Sequence, residues 1–229
     1  MAARTMKLTI VMPVLDEAER IVCQLSALAP MRTQGVELIV VDGGSADATR
    51  TLATPYADRV LASARGRARQ MNAGAAVATG DVLVFLHADT RLPADADKLI
   101  VQGLAMADKV WGRFDVTIDG LSPLLPIVAA LMNLRSRWTG IATGDQAIFV
   151  KHAAFVEAGG YPDQPLMEDI ELSRRLRVHH APLCLKAKVV TSGRRWETRG
   201  IWRTIFLMWS LRLAYFLGAS PEPLAKRYR

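Results

Sequence analysis

The sequence predicts an α/β fold: an open, doubly wound, mostly parallel sheet flanked by helices. Three observations lead there. Short apolar runs recur at residues 8–12, 37–41, 59–62 and 81–89, each followed by a turn and then a stretch of helical character. The runs lack the in-out alternation of half-exposed strands, as parallel strands covered on both faces do. Strands alternating with helices imply βα units, and such units build a parallel sheet with helices on both faces.

The elements follow in order. Residues 8–12 read as a buried strand stopped by Pro13, and residues 14–29 as a helix with acidic residues in its first turn. Residues 37–41 form a second run, ended by Asp42; Gly43 and Gly44 turn the chain, and Ser45 or Asp47 can cap the next helix. RVLA at 59–62 is a third strand, and residues 65–80 form a small-residue helix ending at Gly80. DVLVFLHAD at 81–89 is a fourth strand, after which Pro93 can open a helix. The second half is less regular. Strands are read at 111–119, 144–152 and 183–190, with an apolar helix at 124–138 and a charged one at 167–180 whose first turn holds Glu168, Asp169 and Glu171. His179 and His180 at its end match the helix dipole. No linker or strict repeat interrupts the chain. One domain is read over residues 1–200, its nucleotide half at about 7–92 and its acceptor half at about 93–200, with an apolar helix and basic tail at 201–229.

Half of the chain is apolar (51%), which supports a sizeable core and argues against disorder. The net charge of +7 and pI near 9.8 favour an anionic partner, a nucleotide, a phospholipid surface or nucleic acid, and charge alone does not choose among them. Cys23 and Cys184 lack CxxC partners and read as inert core residues, which suits a reducing, cytoplasmic compartment. The N-terminal stretch has no apolar leader or cleavage site, so no signal peptide is expected.

In an open α/β sheet, ligands bind beyond the carboxyl ends of the strands. Pro13, Asp16 and Glu17, then Asp42, then His87 and Asp89 each follow a strand and would gather on that edge. Neither a GxGxxG fingerprint nor a P-loop lysine is present. A carboxylate cluster of this kind reaches a nucleotide diphosphate through a divalent cation, and Mg²⁺ takes one or two carboxylates together with substrate phosphates. Glu168 and Asp169 are adjacent on a helix and point different ways, so one can face the site while the other braces it. A carboxylate facing an acceptor hydroxyl can act as general base.

The succession MPVLDE, VVDGGSADAT, RGRARQMNAG, FLHADT, GDQAIFV and MEDIELSRRL resembles the family 2 glycosyltransferases of GT-A fold, over residues 7–177, and looks most like a small bacterial subgroup. The resemblance implies that Pro13, Asp16 and Glu17 line the nucleotide pocket, that Asp42 holds the base with Asp47 supporting the turn, and that Arg65 and Arg69 lie near the nucleotide. It also implies Asp89 as the metal ligand of a DxD motif, with Mg²⁺ or Mn²⁺ as cofactor, and Asp169 as catalytic base beside Glu168. His87 stands where the family's first acid would be. This HAD variant removes a negative charge, although imidazole can still hydrogen-bond or ligate a metal. Arg194 and Arg195 in SGRRWE are loosely similar to a QxxRW motif and could reach the leaving diphosphate. The implied reaction is inverting transfer of a sugar from a nucleotide-diphosphate donor, a UDP-sugar being favoured, to a hydroxyl acceptor; nucleic acid is not an expected partner. A sugar nucleotidyltransferase and a nucleotide-binding peripheral membrane protein without turnover are the rival readings.

Residues 201–217 are apolar nearly all round and span roughly 25 Å as a helix, short of a bilayer core. Arg203 and Arg212, nine residues apart, point to opposite faces, so a single amphipathic stripe fits poorly. Packing on the domain, a homodimer interface, and an interfacial helix on the inner face of the cell membrane with Trp202, Trp209 and Tyr215 at the headgroups all remain open, the last aided by the basic tail.

Overall fold

The structure, a computed structural model, describes residues 6–228; residues 1–5 and Arg229, the start of the N-terminal stretch and the end of the basic tail, lie outside the described residues. The first half runs β1 (Leu8–Val14), α1 (Ile21–Ala27), α2 (Ala29–Thr33), β2 (Glu37–Asp42), α3 (Thr49–Ala53), β3 (Arg59–Ala62), α4 (Arg67–Val77), β4 (Val82–Phe85), β5 (Thr90–Arg91) and α5 (Ala96–Met106). The second continues with β6 (Trp111–Asp119), α6 (Leu125–Thr139), β7 (Phe149–Lys151), α7 (His152–Glu157), α8 (Glu168–His179), β8 (Leu183–Ser192), α9 (Arg194–Arg199), α10 (Ile201–Phe216) and α11 (Pro221–Tyr228). The strands join one sheet in the order β3-β2-β1-β4-β7-β6-β8-β5.

Strand periodicity decides which residues meet which helices. Ile10, Met12, Leu38, Val40, Val82 and Val84 face one side, packed with Ile21 and Leu25 of α1, Met31 of α2 and Ile100 of α5. Val11, Ile39, Val41, Leu83 and Phe85 face the other, packed with Met71 and Ala75 of α4, Phe155 of α7 and Leu172 of α8. Both faces are covered, which explains the unbroken apolar runs.

Several boundaries differ from the sequence reading, each for a physical reason. The sheet is mostly parallel, with an antiparallel minority that the sequence does not announce: β1–β2, β1–β4, β2–β3 and β6–β8 are parallel, whereas β7 enters antiparallel between β4 and β6, and β5 runs antiparallel to β8. Pro13 does not stop β1; it pairs in register with Val41. Val11 turns its carbonyl to the β4 side, accepting from Leu86 N at 3.0 Å, so Pro13 turns its donorless nitrogen to that side beyond the end of β4. The helix expected at 14–29 is a loop followed by α1 and α2, split before Pro30. The fourth strand is only Val82–Phe85, and His87 and Asp89 lie in a turn closed by Thr90 N donating to His87 O at 3.1 Å. The strand expected at 144–152 shortens to Phe149–Lys151, because Gly144–Gln146 forms a 3₁₀ turn closed by a Thr143–Gln146 capping box. Cys23 is exposed and Cys184 half-buried, so neither is a core residue. In α10 the apolar residues divide between two faces: Thr204 and Leu211 are buried, while Trp202, Phe206, Trp209, Leu213 and Phe216 form an exposed stripe.

Gly74 lets α4 lie close against the sheet. A Cβ there would meet both Val11 and Val41, the latter at 3.0 Å. Gly74→Ala should therefore be destabilising. Alanine gains about 1 kcal/mol of helix propensity, but overpacking a core costs about 1–3 kcal/mol. Chemical denaturation should show a lower midpoint; a raised midpoint would mean that α4 can move away without cost.

Candidate active site

Beyond the carboxyl ends of β1, β3 and β4 lies a cavity of about 670 Å³. Pro13 comes from the end of β1 and Glu17 from the loop after it, Arg65 from the loop before α4 and Arg67 from its first residue, and His87 and Asp89 from the turn after β4. Asp163 and Gln164 before α8, with Glu222 of α11, line it from across the sheet edge. Arg69 also lines it and pairs with Asp163, Nε to Oδ1 2.7 Å, with both groups largely exposed.

The other carboxylates of this edge are engaged in joining loops. Asp42 is 5% exposed; it accepts from Gly44 N and Ser45 N at 3.2 Å and from Ser45 Oγ at 2.5 Å. Ser45 Oγ in turn accepts from Asp16 N at 3.0 Å, and Asp16 Oδ1 accepts from Ala46 N at 2.8 Å. Asp47 accepts from Ala18 N at 3.0 Å and from Thr49 N at 2.9 Å, while Glu17 N donates to Thr49 Oγ1 at 2.7 Å. Backbone donors of residues 16–18 thus go to side chains of the loop after β2 and of the first residue of α3. With Asp16 at φ 53°, this is why no helix starts there. None of Asp16, Asp42 and Asp47 lines the cavity.

A second group closes the site from the later half. His87 Nδ1 lies 3.6 Å from Asp145 Oδ1. Gly144 N donates to Asp169 Oδ2 at 2.9 Å, and a Cβ at Gly144 would overlap the His87 imidazole. Asp169 therefore stands one residue's width from His87. The neighbouring Glu168 turns the other way: it is buried, with Oε1 2.8 Å from Arg67 Nε and Oε2 without a hydrogen-bond partner. The adjacent acids take the different directions that their helical spacing requires.

Electrostatics separate these groups further. Burial pushes the Glu17 carboxyl up and the Asp89 charge adds to this, against Arg20 and Arg194. Burial also raises Glu168, opposed by Arg67 and reinforced by Asp169. Burial alone would lower His87, but the adjacent Asp145 carboxylate, with the charge of Asp89, holds it above its ordinary value. Arg194 and Arg195, in α9, do not line the cavity; Arg194 is near enough to influence Glu17, and the Arg195 guanidinium stacks 4.2 Å from the Tyr228 ring centroid.

Four residues of the site escaped the sequence reading. Arg67 and Gln70 sat unremarked in a small-residue helix, and Gly144 and Asp145 within a segment read as strand. Gln70 is buried and donates from Nε2 to Val14 O and Val41 O, both at 2.8 Å. Three-residue spacing from Arg67 puts both on one helix face, the only signal available. Among the described residues no group of three or more metal-ligating side chains forms a cage. Asp89 with Glu17 beside it fits Mg²⁺ or Mn²⁺ held jointly by protein and ligand phosphates, since Mg²⁺ needs only one or two carboxylates alongside phosphates.

Known proteins agree with this architecture. The family model described as Glycosyl transferase family 2 matches residues 9–147. The uncharacterized glycosyltransferase Rv0539 of Mycobacterium tuberculosis is 33% identical over 107 residues, 46% of this chain and 47% of the relative. A poly-beta-1,6-N-acetyl-D-glucosamine synthase of Staphylococcus aureus is 24% identical over 219 residues, 85% of this chain and 53% of that enzyme. The chain therefore spans about half the length of these relatives. Crystal structures of S. aureus TarS residues 1–349 superpose with a TM-score of 0.66 over 82% of this chain, covering 61% of TarS without ligand at 15% identity and 58% of its UDP-GlcNAc complex at 16%. At that identity the likeness speaks for the shared GT-A fold. With the family model covering well over half of its length, the chain belongs to glycosyl transferase family 2.

Proposed function

We propose that the chain transfers a sugar from a nucleotide-diphosphate sugar to an acceptor hydroxyl, with inversion at the anomeric carbon. One observation carries this reading: Gly144 joins the cavity wall at His87 to Asp169, a half-exposed carboxylate held by the N–H groups of Gly144 and Ile170, so a donor-binding edge and a candidate base adjoin. A UDP-sugar is the favoured donor, supported by the UDP-GlcNAc and UDP complexes of TarS.

The donor nucleotide would lie against Pro13 and the loops that Asp16, Asp42 and Asp47 lock together, with Glu17 and Arg65 at the cavity wall. Asp42 would act mainly by fixing the Gly43–Gly44 turn beneath the base. Asp89 would hold Mg²⁺ or Mn²⁺, which when bound supplies positive charge to the diphosphate. Arg69 stands at the cavity rim, and Arg194, which reaches Glu17 electrostatically, would add charge from α9 with Arg195 stacked on Tyr228 behind it. His87 orients the turn through Asp145 and offers a hydrogen bond in place of a second acid. Asp169 accepts the proton of the acceptor hydroxyl. The oxygen then bonds to the anomeric carbon, and the carbon–oxygen bond to the diphosphate breaks with its electron pair leaving on the nucleotide. Glu168 positions the start of α8 through Arg67.

We further propose peripheral attachment to the inner face of a membrane. Among the described residues no helix is long and apolar enough to cross one. Yet Ile127, Leu131, Leu134 and Trp138 of α6 form an exposed stripe alongside the exposed Trp202, Phe206, Trp209, Leu213 and Phe216 of α10. Exposed Arg199, Arg203, Lys226 and Arg227 give the region positive charge suited to anionic lipid. Trp202→Ser with Trp209→Ser should weaken co-sedimentation with phosphatidylglycerol vesicles, while the wild type ignores phosphatidylcholine vesicles. A wild type that ignores both lipids but dimerises, and loses the dimer in the double variant, would assign the face to a second copy instead.

The catalytic assignment is checked by steady-state transfer. Asp169→Asn keeps size and one of the two backbone N–H bonds but cannot take a proton, so turnover should fall by about 10²–10⁴-fold with donor affinity nearly unchanged. Glu168→Gln should lower thermal stability more than turnover per folded molecule. Near-normal turnover in Asp169→Asn, or released pyrophosphate in place of transferred sugar, would refute the reading.

A further inference from the structure

Helices α6 and α10 pack together where Val128, Ala129 and Met132 meet Ile201 and Ile205. Arg135 lies three residues beyond Met132, and Arg212 seven beyond Ile205. Helical spacing keeps both side chains on the facing sides, past the end of the apolar contact. Arg135 Nε and Nη2 and Arg212 Nε are buried without a hydrogen-bond partner. Among the described residues neither guanidinium makes a hydrogen bond or an ion pair.

Their neighbours differ. Arg113 pairs with Asp115 and donates from Nη2 to Asn133 O at 3.2 Å, and Arg137 Nη2 lies 2.6 Å from Asp115 Oδ2. The nearby carboxylate is thus already shared by two arginines, and Arg135 and Arg212 are left over. Both are half-buried rather than sealed, so an ion can reach them. Buried N–H donors without acceptors are costly, and two like charges together are more so. Burial and then the charge of Arg212 push Arg135 down to about 10, still cationic at neutral pH. Burial likewise lowers Arg212, with Asp169 and Asp145 pulling the other way. Asp169 is the first carboxylate opposing the shift in each, so both arginines lie within electrostatic reach of the proposed base, yet neither lines the donor cavity.

We propose that Arg135 and Arg212 form an oxyanion subsite for the acceptor, taking a phosphate or carboxylate that the acceptor carries near the hydroxyl offered to Asp169. Two planar guanidiniums with unused N–H groups match the fork geometry of either anion. Binding there would supply the missing acceptors, neutralise the repulsion and fix the distance from the anion to the hydroxyl. The assignment of the anion to an acceptor rests on the glycosyl-transfer reading above.

The test uses the full chain and inorganic phosphate as probe, by calorimetry in buffer saturated with UDP so that the donor site is filled. The wild type should bind phosphate under these conditions. Arg135→Gln and Arg212→Gln should each weaken it about tenfold or more, with UDP affinity unchanged. Arg203→Gln, on the opposite face of α10, should bind phosphate as the wild type does. In phosphate-free buffer the two Gln variants should melt at or above the wild-type temperature, because an unpartnered charge has gone; a merely structural pair would show lower melting. No phosphate binding by the UDP-saturated wild type, equal binding by the variants, or loss of UDP affinity in them would overturn the subsite. Phosphate binding through the two arginines in a protein that never binds UDP would instead refute the donor reading, and with it the acceptor assignment.

Discussion

The carboxamide of Gln70 donates to Val14 O and Val41 O, where β1 and β2 end side by side. Parallel strands that stop at one edge leave peptide groups with no further strand to pair with, and buried peptide groups must be satisfied. Gln70 meets that demand from α4, and Gly43 leaves room for it, since a Cβ there would come within 2.9 Å of the carboxamide. This closure holds α4 against the strand ends. It thereby places Arg65, Arg67 and Arg69 along one side of the cavity, and the same helix carries the close contact of Gly74 with β1.

The same demand sorts the carboxylates of the edge. Asp16, Asp42 and Asp47 accept from backbone N–H groups of the two loops and fix them to one another. Asp89 and Glu17 make no such lock through their side chains and face the cavity, close enough for the Asp89 charge to raise Glu17. On the later half, Glu168 is drawn under the chain by Arg67 while Asp169 stays half-exposed beside Gly144. Two neighbouring acids thus acquire different chemistry from one helical offset of about 100°.

Much of this was legible in the sequence because it rests on local signals. The apolar runs marked β1, β2, β3 and β4, and the acids behind them marked the ligand edge. What stayed hidden depends on contacts distant in sequence. The loop at 15–20 carries helix-like acidic composition, but its donors are claimed by Ser45, Asp47 and Thr49. The 3₁₀ turn at Gly144–Gln146 reads as strand until its capping box forms, and only then do Asp145 and Gly144 come to His87. Pro13 resembles a strand breaker until its nitrogen is seen to face a side with no neighbour. The arginines of α6 and α10 carry no sequence signature, because their meaning lies in the partners they lack.

The edge carboxylates are thus divided: Asp16, Asp42 and Asp47 hold loops, and Asp89 and Glu17 face the cavity. Calorimetric titration of UDP with and without Mg²⁺, on the wild type and on Asp89→Asn and Asp47→Asn, tests this division most directly. Wild-type affinity should rise with Mg²⁺, Asp89→Asn should lose that increment at unchanged melting temperature, and Asp47→Asn should keep the increment but melt lower. Equal affinity with and without Mg²⁺ in the wild type, or an increment lost in Asp47→Asn and kept in Asp89→Asn, would contradict it.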